Sequence, residues 1–158
     1  RFYYGQDLIG NELGAAAKNV IGIAGFGGAL AENLPKMQEN IEKMSDLRAY
    51  LLEKLPSEIT PNLPQHPAPH VLSITLPQIK SETMLHFLSA RGVCVSAGSA
   101  CASHGKKTSR ALAAFGATAA EADSSLRISL SPYTTESDVD ALRDALAAGL
   151  TTLVRMRR

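Results

Sequence analysis

The sequence predicts an α/β fold in which helices pack on a short sheet. Three observations predict it. Long segments carry apolar residues every three or four positions, short segments carry them at every second position, and glycines and prolines punctuate the changes of period. The expected order is helix, strand, helix, strand, loop, helix, strand, helix. Periodicity leaves open whether neighbouring strands run parallel or antiparallel.

The segment 5–28 is rich in Gly and Ala and poor in charge, so it is expected to begin irregular and turn helical near Val20. Gly22-Ile-Ala-Gly-Phe-Gly-Gly28 fails the dinucleotide fingerprint, because Leu30 stands where a third Gly or Ala is needed and no βαβ unit follows. A glycine-rich helix packed closely on a neighbour is expected instead. Leu34, Met37, Ile41, Met44, Leu47, Leu51 and Leu55 then share one helix face. Pro35 kinks or restarts that helix, since proline lacks an N–H and clashes with the preceding turn.

Five prolines between positions 56 and 69 predict a rigid loop with one short edge strand near Ile59. Leu72, Ile74 and Leu76 alternate with Ser73 and Thr75, the pattern of a half-buried strand. Ser81 is expected to cap a helix through Met84, Leu85 and Leu88, with Gly92 as its stop. Residues 93–95 form a short apolar strand, with Cys94 expected to be a buried, inert thiol between Val93 and Val95. The small and polar segment 97–107 reads as a loop. A short helix at 110–115 ends at Gly116. Leu126, Ile128 and Leu130 alternate with Ser125, Arg127 and Ser129 in another strand. Thr135 and Asp138 resemble a capping box. It opens a helix with an apolar stripe of Val139, Leu142, Leu146, Leu150 and Leu153, and Arg155, Arg157 and Arg158 oppose its dipole.

A chain of 158 residues makes one ordinary domain or a little more, and 45% hydrophobic with 20% charged residues suits a packed core. A formal net charge of +1 provides no field to draw in nucleic acid or an anionic membrane. No apolar run reaches the length of a membrane span. The chain starts with Arg1-Phe-Tyr-Tyr rather than methionine and shows no basic leader or secretory segment, so it reads as a fragment or as a chain whose leading residues are missing. Two cysteines in a domain this large are no disulfide framework, and the expected location is a reducing compartment, the cytoplasm.

Chemistry concentrates at two places. Cys101 lies among small residues in Val95-Ser-Ala-Gly-Ser-Ala-Cys101-Ala-Ser-His-Gly105, just after a strand, with His104, Lys106 and Lys107 close in sequence. Cationic neighbours favour the thiolate, which is the nucleophile. The competing reading is a small apolar residue that happens to be cysteine. Arg127 is mid-strand, and a guanidinium there is either a clamp for a carboxylate or half of an internal salt bridge, unless its sheet face is open to water. Cys94, Cys101 and His104 offer three ligands where a structural zinc site wants four, so no metal is expected. His66, His70 and His86 are expected in loops or on the surface.

Ser96-Ala-Gly-Ser-Ala-Cys101 resembles the cysteine-bearing loop of cysteine desulfurases of the iron–sulfur-cluster and nitrogen-fixation type. Ser125-Leu-Arg127-Ile-Ser-Leu, followed by Tyr133-Thr-Thr-Glu136 and Asp140, is similar to the family's next motif. Arg110-Ala-Leu-Ala-Ala-Phe-Gly116, Pro69-His-Val-Leu-Ser-Ile and Asn19-Val-Ile-Gly-Ile-Ala-Gly25 fit as well, so the likeness runs from about Asn19 to Leu153. It implies the small C-terminal domain of a fold-type I, class V aminotransferase-like transferase that uses pyridoxal phosphate. Residues 1–18 are then an irregular N-terminal segment and 19–158 the small domain, with the domain holding the cofactor's lysine upstream and absent.

The resemblance further implies that the full-length enzyme takes sulfur from L-cysteine as a persulfide on Cys101 and releases alanine. Arg127 holds the substrate carboxylate, and the 97–107 loop swings between cofactor and acceptor. A sulfur acceptor or scaffold protein for iron–sulfur cluster assembly, the missing large domain and a homodimer of the full-length enzyme are the implied partners. The family's Gly-rich, Arg-containing phosphate segment ends in Gly-Thr, but Leu13-Gly-Ala-Ala-Ala17 here lacks both Arg and Thr. No cofactor-binding residue is assigned, and the isolated chain is expected to be inactive. A non-catalytic sulfur-relay module, a related enzyme such as a selenocysteine lyase, and a degraded homologue without activity remain open alternatives.

Overall fold

The computed structural model describes residues 8–97, 112, 114 and 116–155. Two compact units divide between Glu39 and Asn40.

In the first unit, α1 (Leu8–Asn33) runs into a 3-10 turn (Leu34–Lys36) and the first residues of α2 (Met37–Lys54). Pro35 sits in the turn, where its missing N–H costs little, so the expected break falls at that proline. The helix starts at Leu8 and not near Val20. The irregular stretch expected at 1–18 is therefore corrected for its described part, where Ala15, Ala16 and Ala17 are strong helix formers. Close packing of the glycines is not seen: among the described residues nothing lies within 4 Å of a Cβ built on Gly22, Gly25, Gly27 or Gly28.

The second unit contains one four-stranded sheet in the order β1-β2-β4-β3, made by β1 (Thr60–Asn62), β2 (Val71–Thr75), β3 (Ser96–Ala97) and β4 (Ser125–Ser129). All three pairings are antiparallel, which settles the direction that periodicity left open. Leu72, Ile74, Ala97, Leu126 and Ile128 form the sheet's buried face. Against them pack Leu47 and Leu51 of α2, Met84 and Leu88 of α3 (Ser81–Ser89), and Val139, Leu142, Leu146 and Leu150 of α5 (Glu136–Thr152). The α/β expectation thus takes the form of three helices on one face of an antiparallel sheet.

Four local expectations are corrected. The strand placed at 93–95 begins at Ser96, because Val93 is used in the helix stop. Its N–H donates to the Leu88 carbonyl at 3.1 Å and that of Gly92 to Ser89 at 3.0 Å, the paired bonds of a Schellman stop, with Gly92 at φ +77°. Val93 and Val95 pack against the core, and Cys94 between them is exposed rather than buried. Ser81 is the first helical residue and not the cap. Lys80, in extended conformation, precedes it, and the Ser81 hydroxyl is buried without a partner among the described residues. Arg155 lies beyond the end of α5 and pairs with Glu58 at 2.7 Å in place of opposing the dipole, while Arg157 and Arg158 lie outside the described residues.

Two capping boxes fix helix starts around the sheet. Thr118 opens α4 (Ala119–Asp123) with Glu121, and Thr135 opens α5 with Asp138, as expected for the latter. The backbone N–H and hydroxyl of Thr118 donate to Glu121 at 2.7 and 2.8 Å and hold its carboxyl below the ordinary range. The Thr135 hydroxyl, at 2.8 Å, and then its N–H, at 2.9 Å, do the same for Asp138. A depressed folded-state pKa gives stability that is present at neutral pH and lost as pH falls through the carboxylate range. Thr135→Ala is expected to cost about 1 kcal/mol at neutral pH. The cost should shrink at acid pH, once Asp138 is protonated in the folded as well as the unfolded state. Urea unfolding at the two pH values measures it, and an unchanged cost at low pH would remove Asp138 from the cap.

Candidate functional site

The sheet's second face is polar. Alternation that sends Leu72, Ile74, Leu126 and Ile128 inward brings Ser73, Thr75, Ser125, Arg127 and Ser129 to the other side. The register aligns Asn62 with Ser73, Ser73 with Arg127, and Arg127 with Ser96, so one row crosses all four strands.

Two hydrogen-bonded groups occupy this face. On one side, the Asn62 amide donates to the hydroxyls of Ser73 and Thr75 at 3.1 and 3.0 Å. Thr75 meets Ser125 at 3.0 Å, and Ser125 donates to the Glu121 carbonyl at 2.7 Å. On the other side, Arg127 Nη2 donates to Ser96 Oγ at 3.2 Å. The Arg127 side chain is exposed, and among the described residues it forms no ion pair. Of the readings open for Arg127, the internal salt bridge gives way to an open sheet face with a guanidinium on it. One bond to Ser96 leaves other N–H donors for a carboxylate, which guanidinium recognises with two parallel bonds.

Cys101, His104, Lys106 and Lys107 lie outside the described residues. Ser96, the first residue of the cysteine motif, is described, and β-pairing joins it directly to Arg127. The two motifs singled out in the sequence therefore meet at that pair. Sequence reasoning missed Ser96 as the partner of Arg127. The available signal was a serine beginning the loop motif, but strand register is what identifies it. Asp140, part of the second motif, has a structural role: it accepts from Tyr50 Oη at 3.2 Å and pairs with Arg143 at 2.8 Å, tying α2 to α5. Desolvation and then the Asp140 bond hold the Tyr50 hydroxyl above its ordinary pKa. Tyr133 is exposed, as are His66, His70 and His86.

A pyridoxal phosphate site needs a lysine at the cofactor's aldehyde. The described lysines are elsewhere: Lys18 in α1, Lys36 in the 3-10 turn, Lys43 on the Pro132 carbonyl, Lys54 over the Tyr50 ring, and Lys80 before α3. None is on a strand of the sheet, so the described residues do not fit covalent attachment of the cofactor beside Arg127. Among the described residues, no group of three His, Cys, Asp or Glu side chains is placed to hold a metal ion, and no helix is long and apolar enough to cross a membrane.

Comparison with known proteins gives the family. Residues 4–142 match the family model of class-V aminotransferases. The chain is 33% identical over 140 residues to the cysteine desulfurase IscS of Dictyoglomus turgidum, covering 86% of this chain and 36% of that protein. It is 34% identical over 137 residues to a cysteine desulfurase of Nostoc, covering 84% and 34%. The solved structure of a NifS-like protein from Rickettsia africae matches with a TM-score of 0.71 at 31% identity, covering 82% of this chain and 34% of that one. The chain thus spans about a third of the length of these relatives. It belongs to the class-V aminotransferase family, with cysteine desulfurases among its relatives.

Proposed function

We propose that this chain is the part of a cysteine desulfurase that binds the substrate carboxylate and accepts its sulfur. The observation that carries the reading is Arg127, an exposed guanidinium in mid-strand, hydrogen-bonded to the first residue of the segment that contains Cys101. Relatives named cysteine desulfurase support it.

In this reading Arg127 receives the carboxylate of L-cysteine through charge-assisted hydrogen bonds. The Cys101 thiolate attacks the substrate sulfur. The substrate's carbon–sulfur bond breaks, the carbon takes a proton, and the products are alanine and a persulfide on Cys101. Pyridoxal phosphate supplies the electron sink that makes the carbon–sulfur bond labile, and its lysine comes from a domain other than this chain. The persulfide sulfur then passes to an acceptor or scaffold protein for iron–sulfur cluster assembly, in the cytoplasm, with the full-length enzyme a homodimer. No residue of this chain is assigned to the cofactor.

The full-length protein, given pyridoxal phosphate and L-cysteine, is expected to release alanine and carry a persulfide on Cys101. The isolated chain is expected to do neither. Alanine from the isolated chain would overturn the assignment of the lysine to another domain. Absence of both products from the full-length protein would overturn the desulfurase reading.

A further inference from the structure

We propose that Ser96 is the positioning residue of the carboxylate clamp: it holds the Arg127 guanidinium in place before a carboxylate arrives. This rests on the reading of Arg127 as that clamp. An exposed arginine has several rotatable bonds and loses much of that freedom when it binds, so any group that orders it beforehand raises affinity. Among the described residues, the Arg127 side chain has one anchor, the Ser96 hydroxyl at 3.2 Å.

The geometry of that anchor is set by the backbone. Ser96 and Arg127 are register partners on β3 and β4, so the hydroxyl's position depends on a single side-chain torsion. The register partner on the other side, Ser73, is engaged by the Asn62 amide at 3.1 Å. Ser96 is thus the flanking serine whose bond goes to the guanidinium.

Arg127 donates and Ser96 Oγ accepts, so the serine's own hydrogen remains free to donate. A carboxylate bound to the guanidinium beside it can accept that third hydrogen bond. Ser96 therefore serves twice, as a stop for the guanidinium and as a donor toward the bound anion. Threonine can do both, and valine, of similar shape, can do neither.

The test uses the 158-residue chain, with 3-mercaptopropionate as the carboxylate probe and its amide as control. Affinity is read from the Arg127 side-chain resonances in an NMR titration, and thermal unfolding of each variant checks that the fold is kept. Ser96→Val is expected to weaken binding at least roughly tenfold, the scale of one hydrogen bond to a charged group, and to broaden the ligand-free Arg127 Nε–H signal. Ser96→Thr should restore both. The amide should not bind, and Arg127→Ala should abolish binding. Native affinity and a sharp Arg127 signal in Ser96→Val, with binding still lost in Arg127→Ala, would overturn the role of Ser96 and leave the clamp standing. Binding that survives Arg127→Ala, or no binding by the native chain, would overturn the clamp and the role of Ser96 together.

Discussion

Leu146→Ala is expected to lower the unfolding free energy by about 2–5 kcal/mol, the range for emptying a fully buried leucine site. Leu146 is 0% exposed and belongs to the core cluster with Met84 and Leu88 of α3 and with the inner face of the sheet. One turn further on, a Cβ at Gly149 would come within 2.5 Å of Met84 Sδ, so α5 and α3 approach closely there. Backbones held this near cannot collapse far into a cavity, which favours the upper part of the range. Leu34→Ala is the contrast. Leu34 is 55% exposed, and its replacement should change stability by less than about 0.5 kcal/mol. Urea unfolding of the two variants checks both. A cost for Leu146→Ala below about 1 kcal/mol would mean that the α3–α5 contact is not the tight part of the core.

That contrast also shows what periodicity reveals and what it leaves hidden. A spacing of three and four correctly put Met37, Ile41, Met44, Leu47 and Leu51 on one helical stripe, while Leu34 falls in the 3-10 turn before α2 and Leu55 just past its end. Periodicity states which residues share a face and nothing about what covers it. In the structure Leu47 and Leu51 are buried, whereas Leu34 and Met37 are exposed. The strands were legible for the same reason: Leu72, Ile74, Leu126 and Ile128 had to share a side once each segment was extended. Their antiparallel pairing was not legible, because it depends on contacts between segments some fifty positions apart, Leu72 with Ile128 and Ile74 with Leu126.

Errors fell where a local bond competed with a pattern. Val93-Cys-Val95 looks like a strand core, but the Gly92 stop takes the Val93 N–H back to Leu88 and delays pairing until Ser96. Ser81 has the chemistry of a cap, yet the chain bends at Pro77 and Gln78 before it, with Gln78 at φ +58°, and the helix starts with Lys80 in the cap position. At the candidate site, the sequence singled out Arg127 as a guanidinium with no obvious place in a strand. It did not reveal Ser96 as the partner, since a row across a sheet is written in register and not in spacing. Cys101 was singled out by its motif, and its position lies outside the described residues.

The two motif residues should fail in different ways when replaced in the full-length protein. If Cys101 accepts the sulfur as proposed, Cys101→Ala removes the acceptor atom, and alanine release should fall by on the order of 10³-fold or more in kcat, with no persulfide detected. Cys101→Ser tests the same point with a smaller change of shape, because a hydroxyl is a poor acceptor of sulfur. In the same proposed reading, Arg127→Ala leaves the acceptor intact and removes the carboxylate's partner. Two charge-assisted hydrogen bonds on an exposed face justify about a 10²-fold loss in kcat/KM, close to 2.7 kcal/mol at 1.36 kcal/mol per decade. Most of it should be a rise in KM, since the carboxylate is bound before and during sulfur transfer alike. Arg127→Lys keeps the charge but not the planar fork and should recover only part of the loss. Initial rates at varied L-cysteine, with a persulfide label on Cys101, separate the two residues. If Arg127→Ala lowers kcat as steeply as Cys101→Ala while KM stays native, Arg127 acts in the transfer step rather than in holding the substrate. If Cys101→Ala retains native alanine release, the sulfur acceptor is a different group, and exposed Cys94 is the first to replace.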